Sequence, residues 1–303
     1  MNIIETENLT RRFGNTEAVC GLDLVVPTGC VCALLGPNGA GKTTTIKLLM
    51  NLLSPTEGAA RVMGVDTRRL GPREFERIGY VSENQQLPVW MTVRQFLDYC
   101  RPFYPTWDLS LERTLLEQFD LPEDRKLKEL SRGMLMKAAL LSSLAYRPKL
   151  LVLDEPFSGL DPLVRSEFIR GVIEVSSVGE WTVFVSSHDI DEVERLCDQI
   201  AMIDAGRLTL SEPAEALHGR FRRIEVTLQG GPARDSGPRN WLELERSGEL
   251  VRFVDSDYQR ERTERACRER FPSGAVTAHP MTLREIYLTL ARTRRTEAKG
   301  AAA

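Results

Sequence analysis

Short apolar runs alternate with helical patterns through the first half of the chain. Ile3–Leu9 and Ala18–Val26 read as strands, and the uninterrupted run Val31-Cys32-Ala33-Leu34-Leu35 predicts a buried one. A helix is expected from Lys42 to Leu53, stopped by Ser54-Pro55 and a turn at Glu57-Gly58. Ile78–Val81 is another short strand. Residues 92–146 read as mostly helical, punctuated by Pro102, Pro105 and Pro122. Leu150–Leu153 is apolar throughout and Thr182–Ser186 is apolar between its two ends, as strands of a parallel, doubly covered sheet are. Between them a helix is expected from about Pro162 to Ser176, with proline at its first turn. This βαβ pattern with an all-helical insertion predicts an α/β core.

The pattern shifts near Leu217. Ile224–Leu228, Trp241–Glu245 and Leu250–Val254 alternate like exposed strands, and the loop Gln229–Pro238 is rich in Gly and Pro. Helices from about Tyr258 to Phe271 and from Leu283 to Arg292 follow, then a Lys299-Gly300-Ala tail expected to be disordered. The reading is therefore a domain over residues 1–217, with a helical subdomain at about 86–147, and a small α+β domain over 218–303. Residues 218–303 carry 17 Lys/Arg against 12 Asp/Glu, whereas the chain as a whole is nearly neutral with 40 and 43. A solvated helical face accounts for that excess better than anionic-membrane binding or nucleic-acid binding, the latter of which would show a denser basic stripe with interleaved aromatics.

Composition narrows the class further. With 303 residues, 42% hydrophobic and 27% charged, the chain can bury a sizeable core without staples. No apolar stretch approaches the roughly 18–20 residues of a membrane-spanning helix. Met1-Asn2-Ile3-Ile4-Glu5 lacks the regions of a signal peptide, so a cytoplasmic, soluble chain is expected. The six cysteines form no Cys-x-x-Cys pair, and His188, His218 and His279 are too scattered for a zinc site.

The chemistry concentrates in a few motifs. Gly36-Pro37-Asn38-Gly39-Ala40-Gly41-Lys42-Thr43 matches G-x-x-x-x-G-K-[ST], after a buried strand and opening a helix, where a phosphate loop (Walker A) must sit. Its glycines let backbone N–H groups wrap phosphates at a helix N-terminus. Lys42 would reach the β- and γ-phosphates, the Thr43 hydroxyl would hold Mg²⁺, and Thr44 could bond the α-phosphate. Leu150-Leu151-Val152-Leu153-Asp154-Glu155 places carboxylates at the end of a buried strand, where α/β sheets bind ligands. Asp154 could hold Mg²⁺ (Walker B), and Glu155 could orient or deprotonate an attacking water. Alone, this pair could equally cap a strand at a turn.

Three further runs bring a family into view. Leu130-Ser131-Arg132-Gly133-Met134 resembles the signature motif of ATP-binding cassette (ABC) ATPases, Ser158-Gly159-Leu160-Asp161 their D-loop, and Ser186-Ser187-His188 their switch histidine. The resemblance covers roughly residues 1–217. It implies a P-loop NTPase (RecA-like) core with an antiparallel β subdomain and the helical insertion, to which the pattern past Leu217 adds the small C-terminal α+β domain. It also implies a head-to-tail dimer completing two ATP sites. By that likeness Ser131 and the Gly133 amide contact the partner's γ-phosphate, His188 senses the γ-phosphate, Asp161 belongs to the nucleotide site, and Phe13 stacks on adenine.

Departures from the family pattern are local. Glu83, in Ile78-Gly79-Tyr80-Val81-Ser82-Glu83, stands at the Q-loop position of a glutamine. A carboxylate there can still ligate the metal but adds negative charge near Asp154 and Glu155. Gln85 and Gln86 lie close by. Arg132 replaces a glycine and Met134 a glutamine in the signature. Hydrolysis is still expected, because Ser131 and Gly133 remain.

The resemblance implies ATP and Mg²⁺ as cofactors, hydrolysis to ADP and phosphate, and a second copy or paralogous subunit as partner. It also implies a separate integral membrane permease on the inner face of the membrane, with no nucleic acid. Leu87–Met91 and Phe96, Tyr99, Phe103, Tyr104 and Trp107 fall in the helical insertion. Most are expected in its core, while an exposed Trp90 would suit a groove for the permease. The C-terminal domain resembles those on bacterial exporters of drugs and peptide antibiotics; lipids are a further cargo class. The main rival is a soluble ABC ATPase acting on nucleic acid or ribosomes. However, the 89 positions from Lys42 to Ser131 hold no sustained heptads for a coiled coil. A third reading is a weakly hydrolysing regulatory subunit.

Overall fold

The uninterrupted apolar runs become the central strands of one sheet, because backbone buried on both faces finds its hydrogen bonds only in neighbouring strands. The computed structural model describes residues 1–177, 181–194, 196–228, 237–271 and 274–301. The chain opens with β1 (Asn2–Phe13), β2 (Thr16–Leu22) and β3 (Val25–Pro27), then β4 (Val31–Leu35) and α1 (Lys42–Leu49). Next come β5 (Glu57–Val62), β6 (Val65–Asp66), a short α2 (Pro72–Phe75) and β7 (Ile78–Ser82). The helical insertion holds α3 (Val93–Cys100), α4 (Leu109–Gln118) and α5 (Arg132–Leu144). Its helices start on side-chain caps: Thr92 and Gln95 form a reciprocal box on α3, Asp108 accepts from the first turn of α4, and Ser131 caps α5. The core then closes with β8 (Leu150–Asp154), α6 (Pro162–Ser177), β9 (Thr182–Ser187), β10 (Gln199–Asp204) and β11 (Arg207–Pro213).

The six-stranded sheet runs β11-β10-β4-β9-β8-β7, parallel from β10 to β7. An antiparallel sheet, β2-β1-β5-β6 with β3 on β1, lies beside the α1 side of the same core. Leu34, Phe184, Val152 and Ile46 share one buried cluster with Ile4, Leu9 and Val62.

Two compact units divide the chain, Met1–Ser211 and Glu212–Ala303. The second contains α7 (Ala214–Arg220), β12 (Arg222–Thr227), β13 (Trp241–Ser247), β14 (Leu250–Asp255), α8 (Arg260–Arg270), β15 (Ala275–Pro280) and α9 (Leu283–Ala301). Its antiparallel sheet, β13-β14-β12-β15, covers a core in which Trp241 stacks on Phe253 at 3.9 Å.

Several elements differ from the sequence reading. The run Ala18–Val26 is split into β2 and β3. Helix α1 stops at Leu49, because Asn51 turns to φ 54° and the N–H groups of Leu52 and Leu53 fold back onto the Lys47 carbonyl. Glu57-Gly58, expected as a turn, opens β5. Gly58 has φ 75°, and a Cβ there would sit 2.2 Å from the Asn8 carbonyl oxygen, so glycine is what lets β5 pass β1 at its register shift. The tail expected to be disordered continues α9 as helical backbone to Ala301, since nothing between Thr282 and that residue but Gly300 interrupts helix-forming composition. Residues 302–303 lie outside the described residues, as does 229–236 of the Gly/Pro-rich loop.

Candidate functional site

The loop between β4 and α1 is shaped by its glycines. Gly36 has no room for a side chain, since a Cβ would lie 2.2 Å from the Ile203 carbonyl oxygen. Gly41 has φ 105° and would place a Cβ 2.3 Å from the Ala18 carbonyl oxygen. The backbone therefore turns tightly, with Pro37, Asn38 and Gly39 exposed and Ala40 buried, and α1 starts at Lys42. Thr43 is exposed at the first turn and Thr44 half-buried behind it.

Lys42 reaches back under this loop. Its ammonium, on a side chain 5% exposed, donates to the Gly36 carbonyl at 2.7 Å and the Pro37 carbonyl at 3.1 Å. It also pairs with Glu155 Oε1 at 3.0 Å. Three donors meet three acceptors, so the buried charge is fully hydrogen-bonded.

The carboxylates come from the ends of parallel strands. In-register pairing of β8 and β9 sets Asp154 beside Ser186. Asp154 Oδ1 accepts from Ser186 Oγ at 2.8 Å and from Thr43 Oγ1 at 3.1 Å. Burial pushes the Asp154 carboxyl above the usual range, against the pull of those two hydroxyls. Ser186 Oγ in turn accepts from the Glu155 backbone N–H at 3.0 Å. Glu155 sits at φ 50°, a left-handed conformation that costs a non-glycine residue about 1 kcal/mol or more. Its Oε2 faces His188 Nδ1 at 2.7 Å, so an ionised Glu155, which can only accept, requires the proton on that ring nitrogen. Lys42, Thr43, Asp154, Glu155, Ser186 and His188 thus form one continuous network.

The donor set fits a hard divalent cation held with substrate oxygens: one hydroxyl and one carboxylate, no thiol or imidazole. Among the described residues no cluster of three or more His, Cys, Asp or Glu is spaced as a metal cage.

Glu83 is placed differently from Asp154. Its backbone N–H donates to the Asp154 carbonyl at 3.0 Å, while its Oε1 accepts from Arg132 Nη2 at 2.5 Å and Ser158 Oγ at 2.8 Å. Gln85 Oε1 accepts from the Ser82 N–H at 3.4 Å. Ser131 lies exposed at the tip of α5, its Oγ accepting from the Met134 N–H at 3.2 Å. Gly133 is buried against α6, where a Cβ would meet Val164 at 2.7 Å. Asp161 caps α6 through the Leu163 and Val164 N–H groups, both at 3.0 Å. Phe13 is 46% exposed at the end of β1, with the Arg11 guanidinium 4.6 Å over its ring. Among the described residues, no hydrogen bond or ion pair ties Phe13, Ser131 or Asp161 to the Lys42–Asp154 network.

The aromatics of the insertion divide. Phe96 is buried, Tyr104 stacks on buried Tyr146 at 3.7 Å, and the Trp107 indole N–H donates to Glu112 at 2.5 Å. Trp90, Tyr99 and Phe103 are exposed, at 69%, 56% and 60%. Met50, Phe75, Tyr80, Gln85 and Tyr104 help line a cavity of about 290 Å³. Among the described residues no helix is long and apolar enough to cross a membrane.

Comparison with known proteins matches residues 19–158 to the ABC transporter family. The bacitracin transport ATP-binding protein BcrA of Enterococcus faecalis is 32% identical over 223 residues, 73% of this chain and 72% of that protein. The daunorubicin/doxorubicin resistance ATP-binding protein DrrA of Streptomyces peucetius is 37% identical over 235 residues, 74% and 70% respectively. Among solved structures, an ATP-binding subunit of an ABC transporter aligns with TM-score 0.65 and 26% identity, covering 72% of this chain and 92% of that one. An ATP-binding cassette in its ADP conformation aligns with TM-score 0.61 and 25% identity, over 72% and 94%.

Proposed function

The chain belongs to the ABC transporter ATP-binding proteins, ATPases coupled to transport, and from that premise we propose that it powers an exporter as one of two cassettes closing head-to-tail on two Mg-ATP. The network joining Lys42 and Thr43 to Asp154, Glu155 and His188 carries this reading. It sets a cation, hydroxyl and carboxylates around the mouth of a glycine loop that opens a helix.

In this proposal the Gly36–Thr44 loop binds the triphosphate through its N–H groups, and Lys42 turns from Glu155 and the loop carbonyls to the β- and γ-phosphates. Thr43 and Asp154 would hold Mg²⁺, which supplies charge neutralisation on the phosphates when bound. Glu155, released from Lys42, orients the attacking water and accepts its proton as water oxygen bonds to the γ-phosphorus and the β–γ bridging oxygen leaves with ADP. His188 holds Glu155 in place through Nδ1 and is positioned to sense the γ-phosphate. From the second copy, Ser131 and the Gly133 amide complete the site at the tip of α5, where the helix N-terminus favours an anion. Phe13 offers its exposed face to adenine, and Asp161 organises the turn at the dimer seam.

The exposed Trp90, Tyr99 and Phe103 of the helical insertion suit a helix of a separate membrane permease, which would hold the protein at the inner face of the membrane. The names of BcrA and DrrA favour drugs or peptides as the cargo class, with lipids a further class. Measuring phosphate release by the purified protein with ATP tests the reading. Turnover should require Mg²⁺ and stop with EDTA; absence of turnover at saturating Mg-ATP would contradict it.

A further inference from the structure

The two positions at which charge departs from the family pattern, Glu83 and Arg132, meet each other. Arg132 occupies the first turn of α5, where a cation opposes the helix dipole and so does not serve the helix itself. Its Nη2 instead donates to Glu83 Oε1 at 2.5 Å. The same oxygen accepts from Ser158 Oγ at 2.8 Å, in the turn after β8. Beneath the guanidinium lies Gly159, at φ 67°, where a Cβ would sit 2.9 Å from Arg132 Nη1. Glu83 is anchored in turn by its own N–H on the Asp154 carbonyl at 3.0 Å, and the Ser158 N–H donates to the Glu155 carbonyl at 3.3 Å. One carboxylate oxygen therefore ties the tip of α5 to the turn that begins with Glu155. A residue held at φ 50° depends on its surroundings to stay there.

We propose that Arg132 is a positioning residue for ATP hydrolysis: paired with Glu83, and with Ser158 on the same oxygen, it fixes the turn that aims the Glu155 carboxylate. The pairing also draws the Glu83 carboxylate toward α5, so the acid at this position is compensated by the arginine that accompanies it. Because the pair is partly exposed, with side chains 52% and 28% accessible, it adds little to folding stability. Losing it should cost catalysis without costing the fold.

The inference rests on the ATPase reading, and the parent protein's own turnover, measured in the same series, separates failure of that reading from failure of this one. The experiment is a double-mutant cycle on the full chain with Glu83→Ala, Arg132→Ala and both together, reading kcat, KM for ATP and the thermal midpoint. Each single variant should lower kcat about tenfold with KM within about twofold, and the double variant should be no slower than the slower single. The midpoint should stay level or rise in Arg132→Ala, since the helix loses a misplaced cation. Arg132→Lys should recover part of kcat. The charge exchange Glu83→Arg with Arg132→Glu should recover part as well, because the Ser158 hydroxyl can accept as readily as donate. Unchanged kcat in the single variants, multiplying effects in the double, or a midpoint that falls together with kcat would each overturn the proposal.

Discussion

Glu155→Gln isolates the carboxylate's charge from its shape. In the structure Glu155 Oε1 lies 3.0 Å from Lys42 Nζ and Oε2 lies 2.7 Å from His188 Nδ1, with the Glu155 and Lys42 side chains 13% and 5% exposed. At 3.0 Å and an effective dielectric constant near 20, the gross attraction to Lys42 is about 5 kcal/mol. Most of this is offset by desolvation, and in the variant Lys42 keeps the Gly36 and Pro37 carbonyls and gains an amide oxygen. The net loss of stability without nucleotide is therefore about 1–2 kcal/mol, a fall of a few degrees in thermal midpoint. Turnover should suffer far more, by about 10²-fold or beyond, because no group remains to take the proton from water. ATP affinity should move the other way. The carboxylate competes with the γ-phosphate for Lys42 and repels it, so its neutralisation should tighten binding several-fold, and saturating Mg-ATP should more than restore the lost midpoint. Single-turnover phosphate release, titration calorimetry and thermal denaturation read these quantities separately. A kcat within tenfold of the parent, or weaker ATP binding, would refute the assignment of Glu155.

Other perturbations probe the remaining parts of the network. Lys42→Ala should abolish tight ATP binding and, by leaving Glu155 without its ammonium, lower stability by about 2 kcal/mol; unchanged affinity in calorimetry would remove the phosphate-loop assignment. Asp154 binds its proton more tightly folded than unfolded, because burial raises its carboxyl. Without divalent cation, stability should thus fall as pH rises from the ordinary Asp range, about 4, through the raised folded value. Asp154→Asn should remove that slope and stabilise the nucleotide-free fold while losing Mg²⁺-dependent turnover. Urea unfolding across pH reads the slope directly, and a slope that persists in the variant would rule out burial of Asp154 as its cause.

The legible parts of the fold were those in which local sequence and burial agree. Val31–Leu35, Leu150–Leu153 and Thr182–Ser186 are apolar at every position but their ends, so strand type and burial followed together. Strand β15 presents almost no buried face and so carries no apolar pattern to read, whereas β10, with Ile200–Ile203 buried, and β11, with Leu208 and Leu210 alternating with polar residues, carry patterns that the sequence reading left unassigned. Strand β5 was hidden by Gly58, whose role is close passage beside Asn8 rather than a turn. Within the site, Lys42, Thr43, Asp154 and Glu155 were visible through motif spacing. The bridging role of Ser186 was not, because it depends on the register of β8 against β9. The Glu83–Arg132 contact had a signal in the sequence, opposite charges replacing neutral residues at two motif positions, but joining residues 49 apart took the tertiary fold.

If ATP is gripped between the glycine loop of one copy and the Ser131-bearing tip of α5 in another, the Glu155→Gln protein should pair around it. Sedimentation of that variant with saturating Mg-ATP reads this directly. The 34.2 kDa species should double in mass, and adding Lys42→Ala or omitting ATP should return it to a monomer. A monomer that persists under saturating Mg-ATP would contradict the two-sided grip.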